Sequence, residues 1–369
     1  MSLIQRVLTN LEERRQRILK GEINSIPSPF SIFPGIEQAM YYLVSGASKG
    51  GKTQIANYLF LYTPILYAYY NPDKLRVRVF FFPLEETPER ITMRFMCHLL
   101  YILSQRKIRI DPSTLRSINK NKVVSSEVLK LLNSLEYRSI LDFYEDHVHF
   151  ITDKNPTGCW KTINEYAQKA GTIHKKTILI ENKETGVSQE KEIFDYYEPK
   201  DKDEYVIVIW DHAGLTNQER GMSLKESIDK LSEYFKDIRN YYGYIPVLIQ
   251  QQNIETIGLD AFKANKIRPT LAGLADSKNP GKDCSMMLGI TNPYAFERPD
   301  YLKYNIKILK GYARFLEIVL NREGESNDVL ALYFDGATNF FAPLPSAKDD
   351  IKLQKVYKLI QYNVSMSPK

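Results

Sequence analysis

Residues 46–53 read Gly-Ala-Ser-Lys-Gly-Gly-Lys-Thr, a full match to G-x-x-x-x-G-K-[ST]. The apolar run Met40–Ser45 (MYYLVS) precedes it, and helical periodicity follows from Thr53 to about Tyr70. Strand, glycine-rich turn and helix in that order leave few folds open. Glycines let successive backbone N–H groups converge on one point, and the helix N-terminus adds partial positive charge there. The pattern predicts a phosphate cradle made of Gly46, Ala47, Ser48, Lys49, Gly50 and Gly51. Lys52 then reaches the β- and γ-phosphates of ATP, and the Thr53 hydroxyl binds Mg²⁺. The bland alternative is a chance glycine-rich turn, and the flanking strand and helix speak against it.

Further strands are expected at Arg76–Leu84, His147–Thr152, Tyr205–Trp210, Ile245–Gln250 and Ser285–Thr291, with helices over Pro88–Ser104, Trp160–Ala170 and Ser223–Tyr242. Tyr205–Trp210 (YVIVIW) is apolar throughout, as a strand covered on both faces must be. It ends in Asp211, where such a site needs a second carboxylate on Mg²⁺; a plain strand-end turn is the other reading. Strands alternating with helices imply an α/β fold with a mainly parallel, twisted sheet flanked by helices. Two alternating runs within residues 176–197 predict a β-hairpin, inside an insertion over about 171–204. LKYNIKIL (302–309), YARFLEIVL (312–320) and DVLALYF (328–334) make the C-terminal part β-rich, and a polar helix follows over about Lys348–Tyr362.

Residues 3–20 carry Ile4, Val7, Leu8, Leu11, Ile18 and Leu19 at helical spacing. That stripe packs either on the chain's own core or on a neighbouring subunit. Pro27, Pro29 and Pro34 mark an extended linker after it. The expected division is a linker helix and proline-rich linker at 1–39, an ATPase domain at 40–345 and a C-terminal helix and tail at 346–369.

Of the 369 residues, 43% are apolar and 12% aromatic, which excludes a disordered chain. Cys97, Cys159 and Cys284 are too widely spaced for a disulfide framework or a metal cluster, and a reducing cytosol is expected. His98, His147, His149 and His174 have no zinc-ligand spacing with them. The start is charged too early for a secretory signal, and the most apolar stretch, Tyr58–Tyr70, is too short to span a bilayer. A net charge of +6 permits a phosphate-bearing partner without demanding one.

Several further stretches carry a resemblance. Phe81–Arg94 (FFPLEETPERITMR) is similar to the F-S-L-E-M-S-x-E-x-L-x-x-R segment of replicative DnaB-type helicases. Pro246–Asn253 (PVLIQQQN) resembles that family's strand ending in S-Q-L-N, and Arg268–Ser277 (RPTLAGLADS) its R-P-x-L-S-D-L-R-E-S stretch. Leu320–Gly324 (LNREG) resembles K-x-R-x-G, Asp335–Phe340 the closing strand turn, and Gly21–Gly35 the linker before the cradle. The resemblance covers about residues 3–344 and implies a RecA-like P-loop ATPase core.

It also implies roles. Glu85 would polarise the attacking water, Gln251 would sense the γ-phosphate, and Arg322 would reach a neighbour's nucleotide, with three successive glutamines leaving the Gln251 register open by one. The implied partners are single-stranded DNA, further copies of the chain in a hexameric ring, and a primase or loader, with no membrane. The implied task is 5′-to-3′ unwinding in the cytoplasm, in a compact phage or mobile-element version. Loops after the Asp and Gln strands, His212–Met222 and Ile254–Pro280, would face DNA, the second through Lys263, Lys266 and Arg268. Departures from the family include Leu320 in place of the Lys, Gly273 and Ala275 in the fourth motif, and no counterpart of the N-terminal, primase-docking helical domain. The loss of the Lys at Leu320 and the weakly basic loops favour a rival reading, a nucleotide-switched assembly or regulatory ATPase without unwinding. A DNA-packaging motor is disfavoured, because His212 rather than a Glu follows Asp211.

Overall fold

The computed structural model describes residues 3–181, 188–253 and 267–365. It opens with helix α1 (Leu3–Leu19), and β1 (Tyr42–Gly46) leads into α2 (Lys52–Asn57). A π-helical turn (Tyr58–Tyr62) joins α2 to α3 (Thr63–Tyr70) as one helical run. Next come β2 (Arg76–Pro83), α4 (Pro88–Leu103), α5 (Pro112–Leu115), α6 (Ser126–Leu132), α7 (Leu135–His147) and β3 (Val148–Phe150). Helix α8 (Pro156–Ala170), β4 (Gly171–Glu181), β5 (Ser188–Pro199), β6 (Glu204–Asp211), α9 (Leu224–Tyr242) and β7 (Ile245–Gln251) follow. The C-terminal part holds β8 (Met286–Thr291), β9 (Asp300–Tyr301), β10 (Tyr304–Asn305), β11 (Ala313–Asn321), β12 (Val329–Asp335), β13 (Phe340–Pro343) and a last helix, Asp350–Ser365.

Nine of the strands form one sheet in the order β13-β12-β11-β8-β1-β7-β6-β2-β3. The six from β8 to β3 are parallel, and β11 to β13 add antiparallel at one edge. Alternate residues of the apolar strands enter two different cores. In β6, Tyr205, Ile207 and Ile209 pack on one face, and Val206, Val208 and Trp210 on the other. Both faces are covered, so the sequence shows a continuous apolar run rather than alternation. The first core takes the α2–α3 run, α4 and α7; the second takes α8 and α9. Helix α9 is bounded by a Ser223–Glu226 capping box and by Gly243 at φ +69°. The chain passes from β1 to the β2 side of the sheet and returns through β6 and β7. It then places β8 on the far side of β1, so strand order reverses at β1, where open α/β sheets bind ligands.

Several expectations need correction. The stretch 302–309 is not a strand: β9 and β10 form a two-residue ladder, and Ile306–Leu309 is one helical turn capped by the Asn305 side chain. His147 closes α7, and β3 keeps only three residues. Helix α8 starts at Pro156 behind an Asn155 cap, four residues before Trp160. The last helix is amphipathic rather than simply polar, since Leu353 and Ile360 are buried. The proline-rich linker is pinned by an Ile26–Ile36 bridge and buries Ile26, Phe30, Phe33 and Ile36 in the first core. The hairpin is longer than its alternation indicates, with β4 and β5 making a separate two-stranded sheet.

The stripe on α1 does not pack on the chain's own core. Ile4, Val7, Leu8, Leu11, Ile18 and Leu19 are all exposed. The helix is held from its polar side, where Arg14 pairs with Glu37 at 3.0 Å and Arg17 with Glu22 and Asp203.

Candidate nucleotide-binding site

Strand β1 ends at Gly46, which stands between Gln251 of β7 and Ile290 of β8. The fit is tight: a Cβ on Gly46 would lie 2.7 Å from the Ile290 carbonyl oxygen, so only glycine lets the loop leave the sheet here. Lys49 (φ +58°) and Gly51 (φ +103°) take left-handed backbone and turn the chain into α2. Asn292, the first residue past β8, donates from Nδ2 to the Lys49 carbonyl at 3.1 Å and braces the loop. Lys52 is buried.

The Thr53 hydroxyl donates to Asp211 Oδ1 at 3.1 Å. Asp211 is 1% exposed, and its Oδ2 has no hydrogen-bond partner among the described residues. Burial, then the Glu85 carboxylate, push its pKa up to about 7, against the pull of Thr53 and Lys52. A buried carboxylate with an open oxygen and a hydroxyl beside it is the donor chemistry a divalent cation such as Mg²⁺ accepts. These residues therefore fit the metal that the cradle implies.

Glu85 is carried to the same end of the sheet because Pro83 pairs with Asp211 and the Leu84 N–H donates to the Asp211 carbonyl at 2.8 Å. Its side chain is half exposed, with Oε2 4.0 Å from His212 Nε2. His212 Nδ1 accepts from the Gly214 N–H at 3.1 Å, which leaves Nε2 facing Glu85. The neighbouring Glu86 is taken by Arg94 in a two-pronged pair at 2.6 and 3.0 Å, so it does not compete for the role.

The three glutamines divide by strand alternation. Gln250 is buried and donates to the carbonyls of Ala275 and Ser277 at 2.5 and 2.6 Å. Gln252 is buried and bonds Ser45 Oγ, the Thr270 carbonyl and the Thr270 N–H. Both lace β7 to the Arg268–Ser277 stretch. Gln251 lies between them, partly exposed and level with Gly46.

Arg322 is not at this end of the sheet. Its N–H donates to the Ser285 carbonyl, its Nε to Cys284 O at 2.8 Å, and its Nη2 to Lys282 O. Ser285 sits beside Tyr41, ahead of β1, so Arg322 lies at the sheet end opposite the cradle. Arg268 is held by Glu317 at 3.4 Å and is not a free loop cation. Lys263 and Lys266 lie outside the described residues. Asn292 and Arg314, which also flank the loop, carry no motif; for Asn292 the available signal was its place just past a strand beside β1.

No protein-family model matches the sequence, and no curated protein does. Among solved structures, a DnaB-like replicative helicase, described with its interactions with primase, matches 93% of this chain and 67% of its own. That match has a TM-score of 0.60 at 13% identity. A KaiC-like protein of Pyrococcus horikoshii matches 88% and 99% (TM-score 0.45, 11% identity), and a RadB recombinase 85% and 94% (0.41, 10%). Among the described residues no helix is long and apolar enough to cross a membrane. The chain thus shares the fold of that DnaB-like helicase, a mainly parallel α/β sheet flanked by helices.

Proposed function

We propose that the chain is a replicative-type DNA helicase, a ring-forming motor that moves on single-stranded DNA and hydrolyses ATP where subunits meet. The observation that carries this reading is the Thr53–Asp211 pair with its open, buried oxygen, next to Glu85 and behind a complete cradle. Mg²⁺ would be held by Thr53 and Asp211 and would neutralise charge on the phosphates. The residues Gly46–Gly51 orient the polyphosphate, and Lys52 adds a point charge. Glu85 aligns a water and accepts its proton at the carboxylate. Gln251 relays the state of the γ-phosphate to the loops beyond β7, where Lys263, Lys266 and Arg268 meet DNA.

Arg322 cannot serve its own cradle. Arg314 and Arg322 are eight residues apart along β11, about 26 Å at ~3.3 Å per residue, and only the Arg314 end adjoins the cradle. Arg322 then completes a neighbour's site, and the uncovered stripe on α1 supports an assembly of copies. The setting is the cytoplasm, of a cell or of a phage-infected host, with a primase or loader as further partner.

The rival reading, a nucleotide-switched assembly or regulatory ATPase, is favoured by Leu320 in the place of a second trans-acting cation and by the Arg268–Glu317 pair. ATP hydrolysis measured with and without single-stranded DNA, with Lys52→Ala as blank, separates the two. Several-fold stimulation that disappears in Lys52→Ala supports the motor. Robust hydrolysis indifferent to DNA favours the switch.

A further inference from the structure

Arg314 is 6% exposed, in the second position of β11, against the phosphate loop. A Cβ built on Gly51 would lie 3.2 Å from its Nε and 3.7 Å from its Cδ. Its Nη1 donates to the carbonyls of Gly311 and Ala313, each at 2.8 Å, and the guanidinium stands 4.7 Å from the Phe334 ring centre. Among the described residues its Nε has no hydrogen-bond partner. Burial pulls its pKa down, to about 10, so it remains charged at neutral pH. Partly buried arginines elsewhere have acids: Arg109 has Asp335, Arg94 has Glu86 and Arg78 has Glu204.

A buried cation with no counter-charge among the described residues is costly, and here it lies beside the positive end of the α2–α3 run. Both costs fall when an anion occupies the loop. We propose that Arg314 is a positioning residue for polyphosphate binding, a cation held behind Gly51 whose missing counter-charge is the bound phosphate itself. It supports Gly51 from the side away from the ligand and does not touch the reacting atoms. The proposal rests on the P-loop reading above. Gly51 on this view is glycine for two reasons, its φ of +103° and the guanidinium packed against its Cα.

The test is the binding of Mg²⁺–ADP and of Mg²⁺–pyrophosphate to wild type, Arg314→Met, Arg314→Lys and Lys52→Ala, together with melting temperatures with and without ligand. Arg314→Met is expected to melt no lower than wild type without ligand, because it loses an uncompensated charge. It should bind both ligands about tenfold or more weakly, a loss of about 1.4 kcal/mol for each tenfold. Arg314→Lys keeps the charge and is expected to recover most of the affinity. Unchanged affinity in Arg314→Met, or a lower ligand-free melting temperature with the ligand-induced rise intact, overturns the proposal and makes Arg314 a packing residue. Should Arg314→Met fail to fold, Arg314→Lys decides alone: a preserved ligand-induced rise supports the proposal and a lost one overturns it. If wild type binds neither ligand while remaining folded, the P-loop reading fails first and takes this proposal with it.

Discussion

Thr53 and Asp211 meet at 3.1 Å across the end of β7, tying the helix after β1 to the last residue of β6. The contact leaves Asp211 Oδ2 buried and unpaired among the described residues, a carboxyl that its surroundings disfavour as an anion. A carboxyl whose pKa rises on folding costs stability as pH climbs from about 4 to about 7. For a shift of about three units the cost is at most ~4 kcal/mol. Asp211→Asn is therefore expected to raise the ligand-free melting temperature at pH 7.5, to lose the gain near pH 4, and to abolish ATP hydrolysis. Calorimetry at the two pH values and a phosphate-release assay check it; a lower melting temperature at pH 7.5 would contradict the account.

His98 gives the opposite pH signature. It is fully enclosed by the rings of Tyr58, Tyr62 and Phe340, and its Nδ1 is 3.1 Å from the Thr338 carbonyl. Burial depresses its pKa to about 4. The unfolded chain binds a proton below pH ~6.5 and the folded one does not, so stability falls between ~6.5 and ~4 by at most ~3 kcal/mol. His98→Asn lowers the baseline but is expected to flatten the change in denaturation midpoint over that interval. An unchanged slope would place the acid sensitivity elsewhere.

The glutamine triplet allows the proposed relay through Gln251 to be tested apart from structural roles. Gln250→Ala and Gln252→Ala each strand buried partners and are expected to cost about 1–3 kcal/mol of stability. Gln251→Ala removes no hydrogen bond of the described structure. It is expected to melt like wild type and bind nucleotide normally, yet lose stimulation of hydrolysis by single-stranded DNA. Urea titrations and steady-state rates on the three variants give the contrast, and equal stability losses at all three positions would contradict it.

What could be read from sequence follows from how local each signal is. The cradle, Asp211 and the apolar strands depend on neighbours in sequence, so Gly46–Thr53 and Tyr205–Asp211 could be placed from composition and order alone. The choice of Gln251 among three glutamines depends on which face of β7 meets Thr270 and Ala275, about 20 residues away, and no local pattern encodes that. Arg314 shows no signal at all, because its proximity to Gly51 exists only once β11 has docked beside β8. The stretch 105–147 defeats periodicity for another reason. Helices α5 and α6 are short, the Asp111, Ser125 and Ser134 caps resemble turns, and α5 to α7 bury few residues each.

The stripe on α1 makes a separable prediction. Leu8 and Leu11 are 61% and 59% exposed and bury little within the chain. Covering such side chains is worth up to ~2 kcal/mol each. Leu8→Glu with Leu11→Glu is expected to leave the melting temperature of the isolated chain unchanged and to shift sedimentation toward the monomer. Loss of folding instead would mean that α1 packs on its own subunit.

Arg322 allows the sharpest test of shared sites. Its guanidinium is fixed by the carbonyls of Lys282 and Cys284 at the sheet end away from the cradle, and no rotamer brings it back to Lys52. A residue that stabilises the transferring phosphoryl group is worth ~10³–10⁵ in rate, so Arg322→Ala should be nearly inactive while binding ATP normally. Lys52→Ala should be inactive for the other reason, a damaged cradle. If one subunit's arginine serves the next subunit's cradle, mixing the two variants creates interfaces with an intact pair, and part of the activity returns. A mixture as inactive as its components, in a preparation shown to exchange subunits, would remove Arg322 from the site and leave its two carbonyl contacts as its whole role.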